Sequence, residues 1–270
     1  MNCTLCSSND TEFKFIYTGT DLYLKKIGVK FDLNWYSCNS CKVYFSKQYS
    51  DIESVYEDET LYDAAYNNKQ ILDRYNRIMS LPPEESDNIS RVNRCISYFD
   101  HYLNIKNIKN NQYSILDIGS GLGVFPATMV KDIRFVVHAL ELNKVASSHI
   151  KDNIGITVYE DYMQNLNFHN KFDFISLNRV LEHVSTPIEV MKLVKKAIKD
   201  IGLIYLELPD SLSYKLDSNS NEAFSSGHYM VYNPSSIKYL FKVSDIILYD
   251  IQRVKDPSGK YTIYAFGGKK

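Results

Sequence analysis

The sequence predicts an α/β protein: a doubly wound, mostly parallel sheet with an antiparallel closing strand, behind a small cysteine-stapled module and a helical segment. Three observations carry that prediction. Two CxxC pairs, Cys3/Cys6 and Cys38/Cys41, stand in the first 50 residues. A glycine loop, Asp117-Ile-Gly-Ser-Gly-Leu-Gly123, directly follows an apolar run. From Tyr113 onward, short apolar runs alternate with amphipathic ones, the pattern of a parallel sheet with helices on both faces.

Residues 1–50 read as short strands and turns around the cysteines, with Phe13–Tyr17 and Val43–Phe45 as strands and Trp35-Tyr36 leading into the second pair. So few apolar residues cannot close a core without a staple. Thiolates three positions apart on a tight turn can face one ion, and two such turns complete a tetrahedron, so Cys3, Cys6, Cys38 and Cys41 are expected to hold a metal. Thiolate-only ligation favours zinc, and four protein ligands leave no open position, which makes the site structural. A redox CxxC would follow a strand in a βαβ unit, and neither pair does. The fifth cysteine, Cys95, falls in a helical pattern and reads as a small core hydrophobe.

Residues 51–112 read as a helical lid and linker. Tyr56, Leu61, Tyr62, Ala65 and Tyr66 lead into Ile71, Leu72, Tyr75, Ile78 and Met79. Leu81-Pro-Pro83 breaks the run. Ile89, Val92, Cys95, Ile96, Phe99 and Leu103 then recur at helical spacing, and Asn104–Gln112 is the linker. Tyrosine faces with Arg74 and Arg91 could meet an acceptor there, although such a stripe is more often packing.

Residues 113–270 form the main domain. Strands are expected at Tyr113–Ile118, Phe135–Leu140, Thr157–Tyr159, Phe172–Leu177 and Leu203–Leu208. Helices are expected from the glycine loop to about Lys131, from Asn143, over Pro187–Asp200 and over Ser235–Phe241. Ile246–Ile251 and Tyr261–Phe266 make the closing antiparallel pair. A strand, a glycine loop and a helix in immediate succession form the nucleotide cradle of a Rossmann-like fold.

Composition narrows the function. Net charge is −1, with 31 Lys and Arg against 32 Asp and Glu, so the basic excess of a nucleic-acid binder is missing. No run approaches the roughly 20 apolar residues of a membrane span, and the N-terminus lacks the basic start and apolar stretch of a signal peptide. A cytoplasmic protein is expected. The odd cysteine count argues against a disulfide framework.

The loop spacing is G-x-G-x-G: a dinucleotide fingerprint would need its third glycine where Val124 stands, which disfavours NAD. Glu141 ends the second strand of this domain, where a carboxylate can accept both ribose hydroxyls of an adenosine. Asp161 follows the third strand, within reach of an adenine amino group, and Asn178-Arg-Val-Leu-Glu-His-Val184 follows the fourth. In that order these motifs resemble the class I S-adenosylmethionine-dependent methyltransferases, over about Tyr113 to Leu208. The cysteine-bearing N-terminus resembles the zinc module of a bacterial subgroup acting on nucleotide sugars and surface polysaccharides. The sugar C-methyltransferases of that subgroup carry a further C-terminal domain that has no counterpart in this sequence, which favours O-methylation.

The resemblance implies S-adenosyl-L-methionine as cofactor beside a structural zinc, and it implies roles for particular residues. Gly119, Ser120, Gly121 and Gly123 would line the methionine and ribose portion, with Asp117 bracing the loop or reaching the amino group. Glu141 would hold the ribose and Leu142 pack on the adenine. Asp161 and Tyr162 would border the adenine edge, and Asn178 backbone atoms would face the methionine amine.

An alcohol acceptor benefits from a general base, and histidine suits neutral pH. His101, His138 and His149 fall within helices or strands and His169 in a turn. His183 directly follows the fourth strand, at the ligand-binding edge of this fold. His228 lies in a long segment after the fifth strand that can cap the site, and it is the favoured base, with an orienting role open for either.

The expected function is methyl transfer to a hydroxyl of a small polar acceptor, a nucleotide-linked sugar or surface-glycan precursor. A ribosomal-RNA methyltransferase, an N-methyltransferase, an NAD-dependent oxidoreductase and a non-catalytic cofactor-binding module are the competing readings. Acceptor identity and oligomeric state are beyond the sequence.

Overall fold

The computed structural model describes residues 1–17, 33–47, 68–217, 222–225 and 227–270. Tyr56, Tyr62 and Tyr66 of the expected lid lie outside the described residues. The described residues build two sheets. The smaller is antiparallel, ordered β1-β2-β3-β9, from β1 (Thr11–Tyr17), β2 (Leu33–Cys38), β3 (Tyr44–Lys47) and β9 (Met230–Val231). Its last strand therefore comes from the segment after the fifth strand of the main sheet, with Tyr44 and Phe45 of β3 pairing with Val231 and Met230.

The larger sheet runs β10-β11-β8-β7-β4-β5-β6. Its members are β4 (Tyr113–Ile118), β5 (Phe135–Leu140), β6 (Thr157–Tyr159), β7 (Phe172–Asn178), β8 (Ile198–Pro209), β10 (Ile246–Lys255) and β11 (Tyr261–Lys269). All pairs among β4 to β8 are parallel, and β11 alone is reversed, antiparallel to both β8 and β10. This is the Rossmann-like sheet with an antiparallel closing strand that the alternation predicts. The order reverses between β4 and β7, so loops after the two strands diverge and leave a crevice at their C-terminal ends.

Central strands read as continuous apolar runs because both faces are covered. Five of the six residues from Phe172 to Leu177 are under 2% exposed. Helix α1 (Asn68–Met79) and α2 (Asp87–Lys106) precede β4. Part of the segment expected as a lid thus belongs to the main core: Val92, Cys95, Phe99 and Leu103 of α2 pack with Tyr113, Phe135 and Phe174 of the sheet. Ser86 caps α2 through a bond from Ile89 N at 3.2 Å, and left-handed Asn107 ends it. The helix expected over Pro187–Asp200, α5 in chain order, stops at Ala197. Ile198 is β-branched and fully buried, and it takes extended backbone to pair with Phe172. The other α-helices among the described residues are α3 (Val124–Met129), α4 (Lys144–His149), the single turn α6 (Tyr214–Asp217) and α7 (Pro234–Val243), the last with a capping box at Asn233. Among the described residues no helix is long and apolar enough to cross a membrane.

Candidate active site

The glycine loop leaves β4 in left-handed backbone: φ is +67° at Gly119, +52° at Gly121 and +70° at Gly123, values that favour glycine. A Cβ on Gly119 would stand 2.7 Å from Val180, and one on Gly123 would stand 2.5 Å from Ile154. One on Gly121 would meet nothing within 4 Å. Two glycines therefore serve close packing, and the middle one faces open space.

Charged side chains fix the loop. Glu141 is buried and accepts from Gly121 N at 2.6 Å and Asn143 N at 2.9 Å; burial pushes its pKa up, and these backbone donors oppose the shift. Asp117, under the loop, accepts from Ser176 Oγ at 2.6 Å and Asn178 Nδ2 at 2.8 Å. Burial raises it to about 6 against those bonds. Asn178 Oδ1 is buried with no hydrogen-bond partner among the described residues, an acceptor suited to a ligand ammonium. Ser120 Oγ donates to Asp117 O at 2.9 Å. Asp161 accepts from Tyr162 N and Asn165 Nδ2. Leu142 and Tyr162 are apolar side chains left 47% and 39% exposed at the same edge. An open loop, an unpartnered acceptor, a carboxylate and exposed apolar faces fit an amino-acid-bearing adenosine.

The two histidines singled out in the sequence come together. The His183 and His228 rings meet edge to face at 4.6 Å between centroids. Each Nδ1 lies 2.8 Å from a backbone carbonyl, Gly227 O for His183 and Ala223 O for His228. A carbonyl only accepts, so Nδ1 carries the proton and Nε2 the lone pair. Burial lowers the pKa of both, that of His228 to about 3, where the neighbouring His183 adds to the effect. His228 was expected on a cap over the site; it is buried instead, because its segment is pinned from two sides. Tyr229 N donates to Glu182 O at 2.7 Å, and Ser46 of β3 donates through N to Tyr229 O and through Oγ to His228 O, both at 3.0 Å. Of the other histidines, His101 and His169 are exposed, while His138 Nδ1 lies 3.1 Å from Ile115 O and His149 packs on Tyr75.

Glu182 carried no separate signal in the sequence. It is 1% exposed, neither carboxylate oxygen has a hydrogen-bond partner among the described residues, and burial raises it to about 8 despite Arg179. Arg179 stands at φ +55°, non-glycine backbone in the left-handed region at the end of β7. Its guanidinium donates to Thr262 Oγ1 at 2.8 Å. Arg91, which could have met an acceptor, is bound to Glu207 together with Arg94. Tyr205 Oη also donates to Glu207, at 2.5 Å.

The cysteines converge as well. Sγ–Sγ distances are 3.6 Å for Cys3/Cys41 and 3.5 Å for Cys6/Cys38, and all four sulfurs lie within 4.8 Å of one another. Tetrahedral ligands at about 2.3 Å stand about 3.8 Å apart, so the spacing fits one zinc and none of the cysteines is disulfide-bonded. The two turns are copies: Ser7 N donates to Cys3 O and Lys42 N to Cys38 O, both at 2.9 Å, and Ser7 and Lys42 share left-handed φ of +60° and +65°.

A family model described as a methyltransferase domain matches residues 62–245. No curated protein matches the sequence closely enough to count as a relative. Among solved structures, the fold is similar to the magnesium protoporphyrin IX methyltransferase of Synechocystis PCC 6803, with S-adenosylhomocysteine bound (12% identity, TM-score 0.57, 79% of this chain and 100% of that one). It is also similar to the 1,6-didemethyltoxoflavin-N1-methyltransferase of Burkholderia thailandensis, holding its substrate and S-adenosylhomocysteine (15% identity, TM-score 0.56, 86% of this chain and 97% of that one). A third is an S-adenosylmethionine-dependent methyltransferase of Aquifex aeolicus (14% identity, TM-score 0.50, 74% and 98%).

Proposed function

The chain belongs to the S-adenosylmethionine-dependent methyltransferases, and we propose that it methylates a hydroxyl of a small polar acceptor, a nucleotide-linked sugar or surface-glycan precursor in the cytoplasm. The observation that carries the hydroxyl reading is the pairing of His183 and His228 at the C-terminal sheet edge, beside the turn whose Val180 packs on Gly119.

When bound, S-adenosylmethionine supplies an electrophilic methyl on a sulfonium, transferred by in-line displacement. Gly119, Ser120, Gly121 and Gly123 shape the space for its methionine and ribose. Asn178 Oδ1 accepts from the ammonium, and Asp117 holds Asn178 in place. Glu141 would take the ribose hydroxyls, while Leu142, Asp161 and Tyr162 would border the adenine. The acceptor hydroxyl loses its proton at the imidazole pair. His183 is the less enclosed ring and is the better placed to touch it, with His228 orienting. Arg179, with its side chain 28% exposed, suits an acceptor phosphate. Zinc in the four-cysteine site acts structurally, holding the module against the His228 segment. A chain near charge neutrality fits a small-molecule acceptor better than RNA.

The test is calorimetric titration with S-adenosylhomocysteine, NAD in parallel, followed by radiolabelled methyl transfer to a panel of sugar nucleotides. Binding of the homocysteine compound alone and a base-stable methyl ether are expected. Transfer only to amines or to RNA would overturn the acceptor assignment.

A further inference from the structure

We propose that Glu182, His183 and His228 form a second metal site, which takes a divalent first-row transition cation. One donor atom from each of the three lies within 4.8 Å of the others. Glu182 is the compelling member. A carboxylate 1% exposed with both oxygens unpartnered among the described residues is a costly arrangement, worth several kcal/mol unless something meets it. A cation coordinated there would satisfy those oxygens.

The imidazoles are prepared for the same ion. With each Nδ1–H spent on a carbonyl 2.8 Å away, Nε2 is the coordinating nitrogen, and a carbonyl behind the ring is what orients metal-bound histidine. The frame is held: Tyr229 N bonds Glu182 O, and Ser46 bonds the backbone of His228 and Tyr229. Two imidazoles and one carboxylate suit Mn²⁺, Fe²⁺, Co²⁺, Ni²⁺ or Zn²⁺ above Mg²⁺ or Ca²⁺, which prefer oxygen ligands. Three protein ligands leave positions open, in contrast to the closed four-thiolate site. Arg179 acts on all three groups with its positive charge, which weakens the ion's hold.

The ion's role in the reaction, as distinct from its binding, rests on the proposed acceptor hydroxyl lying against this pair, and it gives the pair a way to assist deprotonation without strong basicity. With the ion bound, both Nε2 lone pairs would be taken, so a hydroxyl at an open position would lose its proton to solvent water in place of the imidazoles, and its oxygen would take the methyl group as the carbon–sulfur electron pair returns to sulfur.

The experiment uses the full zinc-loaded chain, titrated with Mn²⁺ and followed by the electron paramagnetic resonance signal of free Mn²⁺. One saturable Mn²⁺ per chain is expected, weakened at least tenfold by Glu182→Gln with zinc content and S-adenosylhomocysteine affinity unchanged. If that variant does not fold, His183→Asn is expected to weaken Mn²⁺ binding in the same way. No saturable binding of Mn²⁺ or Co²⁺, or binding that these substitutions leave unaltered, overturns the site. A chain that methylates hydroxyl acceptors but binds no Mn²⁺ loses only this inference; one that binds Mn²⁺ and methylates an amine keeps the site and loses the acceptor reading.

Discussion

Replacing Glu207 with glutamine should remove a pH-dependent part of the protein's stability. Glu207 is fully buried on β8, facing Arg91 and Arg94 of α2 and the Tyr205 hydroxyl. Burial pushes its pKa up, but the Arg91 charge and its hydrogen bond outweigh that and bring it from 4.5 to about 2. At about 1.36 kcal/mol per pH unit, such a carboxyl contributes about 3 kcal/mol when ionised. The folded pKa is depressed, so this contribution is complete above pH 4.5 and is lost as pH falls toward 2; about 2 kcal/mol of it is gone by pH 3. Glu207→Gln also strands two guanidinium groups, so the deficit at pH 7 should be about 3–5 kcal/mol. Urea unfolding of both proteins at pH 7, 4 and 3 measures it. Taking the difference cancels the opposite titrations of Asp117 and Glu182, which burial raises. The gap should narrow by about 2 kcal/mol between pH 7 and 3. A gap that stays constant would refute the ion-pair account.

Other outcomes follow from the site. Glu141→Gln should weaken S-adenosylhomocysteine binding about tenfold to a hundredfold by calorimetry, the range for a hydrogen bond to a charged group, while leaving the fold intact by circular dichroism. Gly119→Ala should lower the thermal midpoint more than Gly121→Ala, since only the first drives a Cβ into Val180; equal losses would say that backbone strain dominates both. Gly121→Val should fold and lose cofactor affinity. Stripping metal from the four cysteines with a chelator should shift emission of the single tryptophan, Trp35, to longer wavelength, because that indole is fully buried and donates to Phe224 O at 3.0 Å.

Much of this was legible from residue order. The glycine loop, the acid at the tip of β5 and the apolar runs of β4, β7 and β8 are local signals, and local backbone preference decides them. The cysteine spacing likewise announced a four-sulfur cluster. What escaped was non-local. Nothing near Glu182 says that it will be buried, because its burial comes from Tyr229 and Tyr232 folding over the turn after β7. The helix Asp87–Lys106 has the periodicity of any amphipathic helix, which cannot say whether its apolar face meets an acceptor or a sheet. His228 reads as part of a segment that can cap the site, since a strand of two residues, Met230–Val231, is too short to see and exists only because β3 offers an edge.

That borrowed strand bears on assembly. The four clustered cysteines lie within the first 41 residues, yet the partner for Trp35 is 189 residues away. During synthesis at 5–20 residues per second, that interval lasts roughly 10–40 s. Until it closes, β3 has an unpaired edge and Trp35 lacks its cover, the conditions under which a nascent chain pairs with a neighbour. Early capture of zinc by the cysteines would hold the first three strands in register through that wait. Metal supply during translation would then set the yield of folded protein, even though the ion takes no part in the reaction.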